Sequence, residues 1–229
     1  MAERRDLDHY SLNKVMEKGA QFLAGQQIRS IEETAGRVAV RTDTGTLTAS
    51  FLIGCDGANS IVRRSLTNQK FYKRQTALEA DVRVPDPGVY PMTFDFSRNK
   101  NGYYWIFPKA GHVNIGIYSR GPGIRPRAND LADFARHCLG NSRLEAVKGY
   151  PICTGGKTYR PGRGRILLAG DAAGTAEPLF VEGIYFALKS GQLAAKAVCR
   201  FFNEPPAVCR AYQTFLKPLQ MDLRLYDMS

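Results

Sequence analysis

The sequence predicts a mixed fold, α/β in its two end regions and α+β overall, in which an antiparallel-sheet domain is inserted into one discontinuous α/β domain. Both ends of the 229-residue chain alternate short apolar strands with helices, whereas the middle carries consecutive alternating strands. The composition, 44% hydrophobic and 23% charged, is typical of a folded chain with one large core or two modest ones. The predicted bounds are 1–74 and 161–229 for the α/β domain and 75–160 for the inserted sheet.

The first region begins with a helix, predicted from Asp8 to Lys18 because apolar residues recur there at helical spacing before a glycine. QIRSIEE and RVAVRTDTGTLTA follow, and both alternate or are rich in β-branched residues around the turn TDTG. They predict a hairpin that leads into a buried strand from Phe51 to Ile53. CDGANSIVRRSL then predicts a glycine turn and a short helix.

The middle region contains four alternating stretches separated by Pro, Gly and Asn turns: ALEADVRV, PMTFDFS, GYYWIFP and HVNIGIYS. A polar helix is predicted near Ala128 to Leu139. Alternation along GYYWIFP places Tyr103, Trp105 and Phe107 on one face of a strand. Three rings on one face can form a wall for a long apolar substrate, and they can equally fill the core of an ordinary sheet.

The last region returns to α/β character with the stretch RILLAGD. Ile166 to Ala169 predict a short buried strand, Gly170 permits a tight turn, and Asp171 follows at the carboxyl end of the strand. Open α/β sheets bind ligands at that edge. A carboxylate there suits a partner with several hydroxyls, because at neutral pH it only accepts hydrogen bonds. Helices are predicted from about Glu182 to Phe202 and from about Pro205 onward.

The first of these two helices has a glycine at its start, so no side chain covers the backbone at the N-terminus of the helix. Without a side chain at Gly183, a ligand can approach the unpaired N–H groups of the first turn, where the helix dipole favours negative charge. A flavin has both groups that these residues would bind. Its polyol chain suits Asp171, and the edge of its ring, where negative charge develops, suits the start of the helix. Taken singly, the two residues also fit a simple cap and a plain turn.

Composition and residue spacing argue against several other classes of site. The five cysteines include no CxxC pair and the three histidines have no metal-ligand spacing, so neither a disulfide framework nor a metal site is predicted. No apolar run is long enough for a membrane span and no signal peptide begins the chain, which predicts a cytoplasmic protein. The net charge of +11 is spread along the chain without a nucleic-acid motif. It suits a phosphate-bearing cofactor or an anionic membrane surface, and no nucleic-acid partner is predicted.

Three motifs resemble those of a flavoprotein superfamily. GDAAGTAEPLFVEGIYFALKSGQLAA is similar to the second FAD-binding motif of the superfamily that contains aromatic hydroxylases, flavin halogenases and geranylgeranyl reductases. LIGCDGANSIVRRSL resembles its middle motif, with Asp56, Gly57, Ser60 and Arg63 at the characteristic positions. YYWIFP matches the YxWxFP pattern of the geranylgeranyl reductase family. The resemblance implies a partial Rossmann-like FAD-binding domain, with the inserted sheet as the substrate domain.

The resemblance also implies FAD as the cofactor and assigns roles to single residues. Asp171 would hold the ribityl chain, and Pro178 would pack beside the ring. The N–H groups of Gly183 and Ile184 would face the anionic edge of the flavin. Arg4 is included because it loosely matches the RxxxD pattern at the start of a helix in the family. A surface arginine beside an acidic residue would give the same pattern. The implied cofactor-binding residues are Arg4, Asp56, Gly57, Gly170, Asp171, Pro178, Gly183 and Ile184.

The function implied by the resemblance is the reduction of a carbon–carbon double bond in an isoprenoid (geranylgeranyl) group. Reduced FAD would deliver a hydride from its N5 atom while a proton arrives at the neighbouring carbon. Tyr103, Trp105 and Phe107 would guide the lipid tail, NAD(P)H or a reduced ferredoxin would be the reductant, and any membrane association would be peripheral. No catalytic residue is identified. Two alternatives stay open: a flavin monooxygenase acting on an aromatic substrate, and a non-catalytic truncated fragment of such an enzyme.

The chain departs from the family pattern in two places. The GxGxxG turn that holds the FAD pyrophosphate does not occur in the sequence, so roughly 90 residues at the front are expected to be missing if the family's spacing holds. Val181 stands two residues before Gly183, where relatives carry glycine or another small residue. A β-branched side chain at that position is expected to crowd the flavin ring.

Overall fold

The computed structural model describes residues 3–34, 36–66, 73–121, 125–154 and 161–227, which fall into two compact units. The sheet unit comprises Met1–Ala24 and Gln75–Pro151, and the α/β unit comprises Gly25–Arg74 and Ile152–Ser229. Both units are therefore discontinuous in sequence. The boundary predicted at residue 160 lies outside the described residues.

The helices and strands are numbered along the chain. The helices are α1 (Arg4–Met16), α2 (Ile61–Leu66), α3 (Ala128–Leu139), α4 (Ile184–Arg200) and α5 (Pro205–Asp227). The strands are β1 (Ile28–Thr34), β2 (Arg37–Thr42), β3 (Thr46–Ala49), β4 (Leu52–Gly54), β5 (Lys73–Val82), β6 (Thr93–Asp95), β7 (Gly102–Pro108), β8 (Val113–Ser119), β9 (Glu145–Thr154), β10 (Gly162–Arg163) and β11 (Ile166–Leu168). Within the described ranges, no helix is both long and apolar enough to cross a membrane.

The sheet unit is built on one five-stranded sheet with the order β6-β7-β8-β5-β9. One face of this sheet is covered by α3, whose apolar residues recur every three or four positions and so lie on one side of the helix. The N–H of Gly140 donates to the Arg136 carbonyl at 3.1 Å and ends the helix. The buried residues of this core are Ala80, Val82, Ile106, Val113, Ile115, Ile117, Leu131, Phe134, Ala135 and Leu139.

The N-terminal segment groups with this sheet, whereas the sequence analysis assigned it to the α/β domain. None of the residues of α1 is buried. The Glu3 carboxylate instead lies 3.7 Å from Lys109 Nζ and 3.8 Å from His112 Nε2, both in the loop between β7 and β8. The helix also begins at Arg4 rather than at the predicted Asp8. Its first turn is charged, so apolar spacing could not reveal it.

The α/β unit is organised around β11. This strand pairs parallel with β4, with Ile166 opposite Leu52, and antiparallel with β10. Leu167 packs in a core with α4 and α5, whereas Ile166 and Leu168 pack in a second core with α2. A strand buried on both faces is typical of layered α/β domains. Strands β1, β2 and β3 form a separate antiparallel sheet.

One buried hydrogen bond fixes α5 to the end of β11. The Tyr212 hydroxyl donates to the Leu168 carbonyl at 2.7 Å, and Tyr212 is fully buried. Burial raises the pKa of Tyr212, which keeps the hydroxyl protonated as a donor. Because Leu168 ends the strand that leads into the Asp171 turn, this contact supports the edge of the sheet where a ligand is expected.

Replacing Tyr212 with phenylalanine is expected to lower the free energy of unfolding by about 1–2 kcal/mol, because the Leu168 carbonyl loses its donor in a site closed to water. Urea denaturation measures the change. The matched control is Tyr150→Phe, since Tyr150 is 47% exposed and a surface substitution shifts stability by less than about 0.5 kcal/mol. Equal losses of stability in the two variants would show that the buried hydrogen bond contributes no more to stability than an exposed tyrosine hydroxyl does.

Candidate functional site

The turn after β11 lies against the first turns of α4. Gly170 adopts the left-handed region with φ 59°, where residues with a Cβ are strained, and its N–H donates to the buried Ser190 hydroxyl on α4 at 2.9 Å. A Cβ built on Gly183, at the start of α4, would lie 3.5 Å from Asp171 Oδ1. The carboxylate at the end of the strand and the bare start of the helix are therefore neighbours in space.

The first turn of α4 is also bordered by Glu182. Its Oε1 atom accepts the N–H of Tyr185 at 2.9 Å, and the first helical hydrogen bond runs from the Ala187 N–H to the Gly183 carbonyl at 2.8 Å. Ile184 is 42% exposed. Two carboxylates thus flank a short stretch of backbone N–H groups. This arrangement suits a ligand that presents hydroxyl donors beside an acceptor edge.

A buried acid shapes the loop that precedes α4. Glu177 is 4% exposed, and its carboxylate accepts the N–H groups of Leu179 and, at 2.7 Å, Phe180. Its own N–H donates to the Glu182 carbonyl at 2.9 Å, which closes the loop around the buried Pro178. Hydrogen bonds from backbone N–H groups to a carboxylate are among the stronger ones in proteins. Glu177 was not predicted as a site residue, because a single acid before a proline has no characteristic spacing.

Val181, in the same loop, is held in a conformation that favours glycine. Its φ is 52°, in the left-handed region, which is a genuine outlier for a β-branched residue. The position is the one at which the family resemblance implies glycine or another small residue. The structure therefore supplies a backbone reason for that preference, in addition to the crowding expected from the side chain.

Replacing Val181 with glycine is expected to stabilise the protein by up to about 1 kcal/mol. The relief of left-handed strain, about 1–2 kcal/mol, exceeds the entropic cost of glycine, about 0.5–1 kcal/mol. The midpoint of thermal unfolding measures the effect. Val147→Gly is the matched control, because Val147 is half-exposed on β9 without a positive φ, and this change should destabilise. A loss of stability in both variants would contradict the strain at position 181.

The middle motif forms the start of α2. Asp56 Oδ2 accepts the N–H groups of Ile61 at 2.6 Å and Val62 at 3.1 Å, and Oδ1 accepts the Ser60 hydroxyl. Gly57 lies in the turn between, with φ 74°. Both carboxylate oxygens of Asp56 thus cap the helix. The structure shows a local structural role for Asp56 and Gly57, in addition to the cofactor contact that the resemblance implies.

Arg63 joins the middle motif to the Asp171 turn. Its Nη1 donates to the carbonyls of Asp171 at 3.2 Å and Ala172 at 3.0 Å, and its Nη2 donates to the Ala58 carbonyl. The half-buried guanidinium therefore holds two motifs that are far apart in sequence. Arg63 was predicted as a motif residue without a role, because its partners are backbone atoms that only the fold brings near.

A buried hydroxyl completes the set of groups near this turn. Thr175 follows the turn, is 1% exposed, and its Oγ1 makes no hydrogen bond within the ranges that the structure describes. Such a buried polar atom is one that a bound ligand or water can satisfy. An acceptor at Asp171, bare backbone at Gly183 and this hydroxyl match the polyol chain and ring edge of a flavin, so the residues present fit FAD.

Other chemistry is poorly supported at this site. Partial desolvation and the Asp56 carboxylate beside it raise the pKa of the Cys55 thiol, so this exposed thiol stays protonated at neutral pH and is a poor nucleophile. Among the residues described, no three His, Cys, Asp or Glu side chains form a group that could hold a metal ion. Among the described residues of this turn, the groups that can act on a ligand are hydrogen-bond donors and acceptors, which can bind and orient it.

The three aromatic residues predicted to share a face do so. Tyr103, Trp105 and Phe107 alternate along β7, with ring centroids 6.1 Å apart for Tyr103 and Trp105 and 6.0 Å apart for Trp105 and Phe107. Phe94 on β6 packs against Tyr103 at 5.4 Å and against Phe107 at 5.3 Å. Tyr103 and Trp105 are buried, Phe94 and Phe107 are half-buried, and Phe96 at the margin is 49% exposed. The cluster combines a packed centre with an accessible apolar edge.

Arg4 lies on the surface of the sheet unit. Its Nη2 is 3.1 Å from Asp8 Oδ1, and the two side chains are 65% and 61% exposed. Exposed pairs at this helical spacing stabilise a helix by a few tenths of a kcal/mol. The structure thus shows the ordinary surface pair that the sequence pattern left open.

The chain resembles several known proteins. A family model described as FAD binding domain matches residues 4–138. The chain is 33% identical over 200 residues to an uncharacterized protein of Methanosarcina barkeri, covering 86% of this chain and 52% of that protein. It is 28% identical over 215 residues to a geranylgeranyl diphosphate reductase of Rhodobacter capsulatus, covering 89% of this chain and 54% of the relative. The chain therefore spans about half the length of the curated relatives it matches.

A solved structure shows the same fold. A geranylgeranyl bacteriochlorophyll reductase-like protein from Thermoplasma acidophilum superposes with a TM-score of 0.81 at 22% sequence identity. The match covers 96% of this chain and 59% of that protein. The predicted fold class, mixed α/β with an antiparallel sheet, is confirmed by this likeness.

Proposed function

Because the chain belongs to the FAD binding domain family, we propose that its α/β unit holds FAD at the Asp171 turn and the start of α4. The family membership confirms the flavoprotein resemblance and the cofactor predicted from sequence. The observation that carries the proposed location is the contact distance of 3.5 Å between Asp171 Oδ1 and the position of a Cβ on Gly183. The α/β unit is then the cofactor domain and the sheet unit the substrate domain.

Within this site, each group has a distinct task. Asp171 would accept hydrogen bonds from the ribityl hydroxyls, and the N–H groups of Gly183 and Ile184 would bind the acceptor edge of the ring. Pro178 would pack beside the ring, and the buried Thr175 hydroxyl would be a further partner. The remaining family residues act at a distance: Asp56 and Gly57 build α2, and from α2 Arg63 holds the Asp171 turn.

The reaction we propose is the reduction of a carbon–carbon double bond in an isoprenoid chain. FAD, once bound and reduced by NAD(P)H or a reduced ferredoxin, supplies the hydride, and a proton from solvent or an acid adds to the neighbouring carbon. Support comes from the geranylgeranyl diphosphate reductase of Rhodobacter capsulatus, which is 28% identical to this chain over 215 residues. The aromatic cluster around Trp105 adds an apolar surface that excludes water from such a chain.

The proposal is tested in two steps. The visible spectrum and fluorescence of FAD are first followed as the purified chain is added; we expect saturable binding tighter than about 10 µM, roughly 7 kcal/mol. Geranylgeranyl diphosphate is then incubated anaerobically with the protein and dithionite-reduced FAD, and products are weighed by mass spectrometry. Products heavier by two hydrogens per reduced bond support the proposal. A failure to bind FAD refutes the cofactor site, and an oxygen-dependent hydroxylated product would indicate a monooxygenase.

Peripheral association with an anionic membrane belongs to the same proposal. The net charge of +11 attracts anionic headgroups, where isoprenoid lipids reside. We expect the protein to sediment with vesicles of phosphatidylglycerol and phosphatidylcholine, and to be released by salt. Equal sedimentation with pure phosphatidylcholine would show that the charge plays no part.

A further inference from the structure

Trp105 is held in one orientation by two residues of β8. Gly116 lies directly opposite Trp105 in the sheet register, and a Cβ built on Gly116 would lie 1.9 Å from Trp105 Cζ2. The indole therefore lies directly over the backbone of Gly116, an approach that a side chain at this position would prevent. The indole Nε1–H donates to Asn114 Oδ1 at 2.9 Å, which fixes the edge of the ring as well as its face.

Asn114 is itself held from the neighbouring strand. Its Nδ2 donates to Asp81 Oδ1 on β5 at 3.0 Å, and His112 Nε2 lies 3.4 Å from the same oxygen. The amide can therefore turn only its oxygen toward Trp105, because the amide nitrogen faces a carboxylate. A short polar chain beside the aromatic rings, on the same face of the sheet, thus holds the indole in position.

The height of this indole above the sheet shapes the whole aromatic surface. Trp105 lies between Tyr103 and Phe107, and its ring is inclined by only 29° to that of Phe107. Any group that lifts the indole from the sheet also pushes on the rings of Tyr103 and Phe107, which contact it. Because Tyr103 and Trp105 are buried, the change would reach a bound chain through the half-buried Phe107 and the accessible edge of the cluster.

We propose that Gly116 and Asn114 are specificity-determining positions, which set the length of apolar chain that the aromatic surface accepts by holding Trp105 flat against the sheet. The inference rests on the proposed function, in that the surface takes an isoprenoid chain. Each added isoprene unit gains affinity only while it can bury its carbons against the rings. A raised indole displaces Phe107 and the accessible edge of the surface, so longer chains lose their advantage over shorter ones.

The chain contains a single tryptophan, so its emission reports on this residue alone and requires neither FAD nor turnover. The probes are geraniol, farnesol and geranylgeraniol, which differ by one isoprene unit each. We expect wild-type protein to bind geranylgeraniol at least about tenfold more tightly than farnesol, because the longer chain buries more apolar surface. In Gly116→Ala the preference should fall to about twofold, since the added methyl displaces the indole.

Gly149→Ala is the matched control. Gly149 is also a strand glycine of the same sheet, but a Cβ there would meet its nearest neighbour at 3.7 Å, an ordinary contact. The Gly149→Ala variant should show the same chain-length preference as the wild type. Asn114→Leu is the second variant: it removes the acceptor of the indole N–H without filling the space under the ring, and it should also reduce the preference and shift the emission maximum.

The outcomes separate the inference from the function on which it rests. If the emission maximum shows that the indole has moved in either variant while the chain-length preference stays at the wild-type value, the inference is overturned and the apolar surface still stands. If no alcohol changes the wild-type emission although FAD binds saturably, the aromatic surface takes no isoprenoid chain. That result overturns both the inference and the substrate part of the proposed function, and leaves the cofactor site intact.

Discussion

Replacement of Asp171 by asparagine is expected to weaken FAD binding by about 10- to 100-fold. A hydrogen bond to a charged group is worth about 1.5–3 kcal/mol, and the neutral amide keeps the shape of the side chain while losing the charge and one acceptor. The backbone contacts of the turn do not depend on the substituted atoms, because the Asp171 carbonyl accepts from Arg63 and from the Gly174 N–H. Thermal unfolding measures any effect of the substitution on stability, and titration with FAD measures the effect on binding.

Asp133→Asn is the control for this experiment. Asp133 lies on α3, is 71% exposed, and pairs with Arg136 at 3.0 Å on the surface. Its replacement removes the same charge from the protein and should leave the dissociation constant for FAD unchanged. An Asp171→Asn variant that binds FAD as tightly as the control would exclude the carboxylate from the cofactor site.

Replacement of Arg63 by methionine is expected to lower the free energy of unfolding by about 3 kcal/mol and to weaken FAD binding at least about tenfold. The carbonyls of Ala58, Asp171 and Ala172 all lose a charged donor, and each bond to a charged group contributes about 1.5–3 kcal/mol before relaxation and water offset part of the loss. Methionine fills most of the volume of the arginine stem, so a cavity adds little. Denaturant unfolding and FAD titration measure the two effects separately.

Arg64→Met is the matched control for Arg63. Arg64 is the neighbouring exposed residue of α2, and its guanidinium donates to the Asn59 carbonyl at the surface. Its loss should cost less than about 0.5 kcal/mol. Lysine at position 63 should recover only part of the stability, because one ammonium cannot reach carbonyls on both motifs. Equal destabilisation by the two methionine variants would show that the hydrogen bonds from Arg63 to the two motifs contribute no more to stability than the surface contact of Arg64.

Strong periodicity accounts for what could be predicted of the fold. The bounds of α3 and β7 agree with the stretches predicted, because each has a clear spacing and ends at a glycine or proline. The strand β9 was not predicted, since Gly149 and Pro151 interrupt its pattern and resemble a turn. The start of α1 was placed late for the related reason that its first turn is charged and makes only surface contacts.

The role of a site residue could be predicted from the sequence only where the residue acts on its immediate neighbours in the chain. Gly183 precedes α4 as expected, and the strand before Asp171 ends where the apolar run ends. The tasks of Asp56 and Arg63 were not predictable, because a motif marks both the residues that bind a ligand and those that build the turn around it. Glu177 was missed for a similar reason: its partners are backbone N–H groups of the next few residues.

The parallel pairing of β4 with β11 determines the order in which the molecule can assemble. Leu52 cannot meet Ile166 until the ribosome has made the whole inserted sheet and the start of the last region. The sheet around Trp105 has mostly neighbouring strands, so it can form while β4 still lacks its partner. Closing so long a loop is slow compared with pairing adjacent strands. During synthesis, the half-made α/β unit therefore exposes an apolar strand. At this stage the nascent chain most needs protection from aggregation.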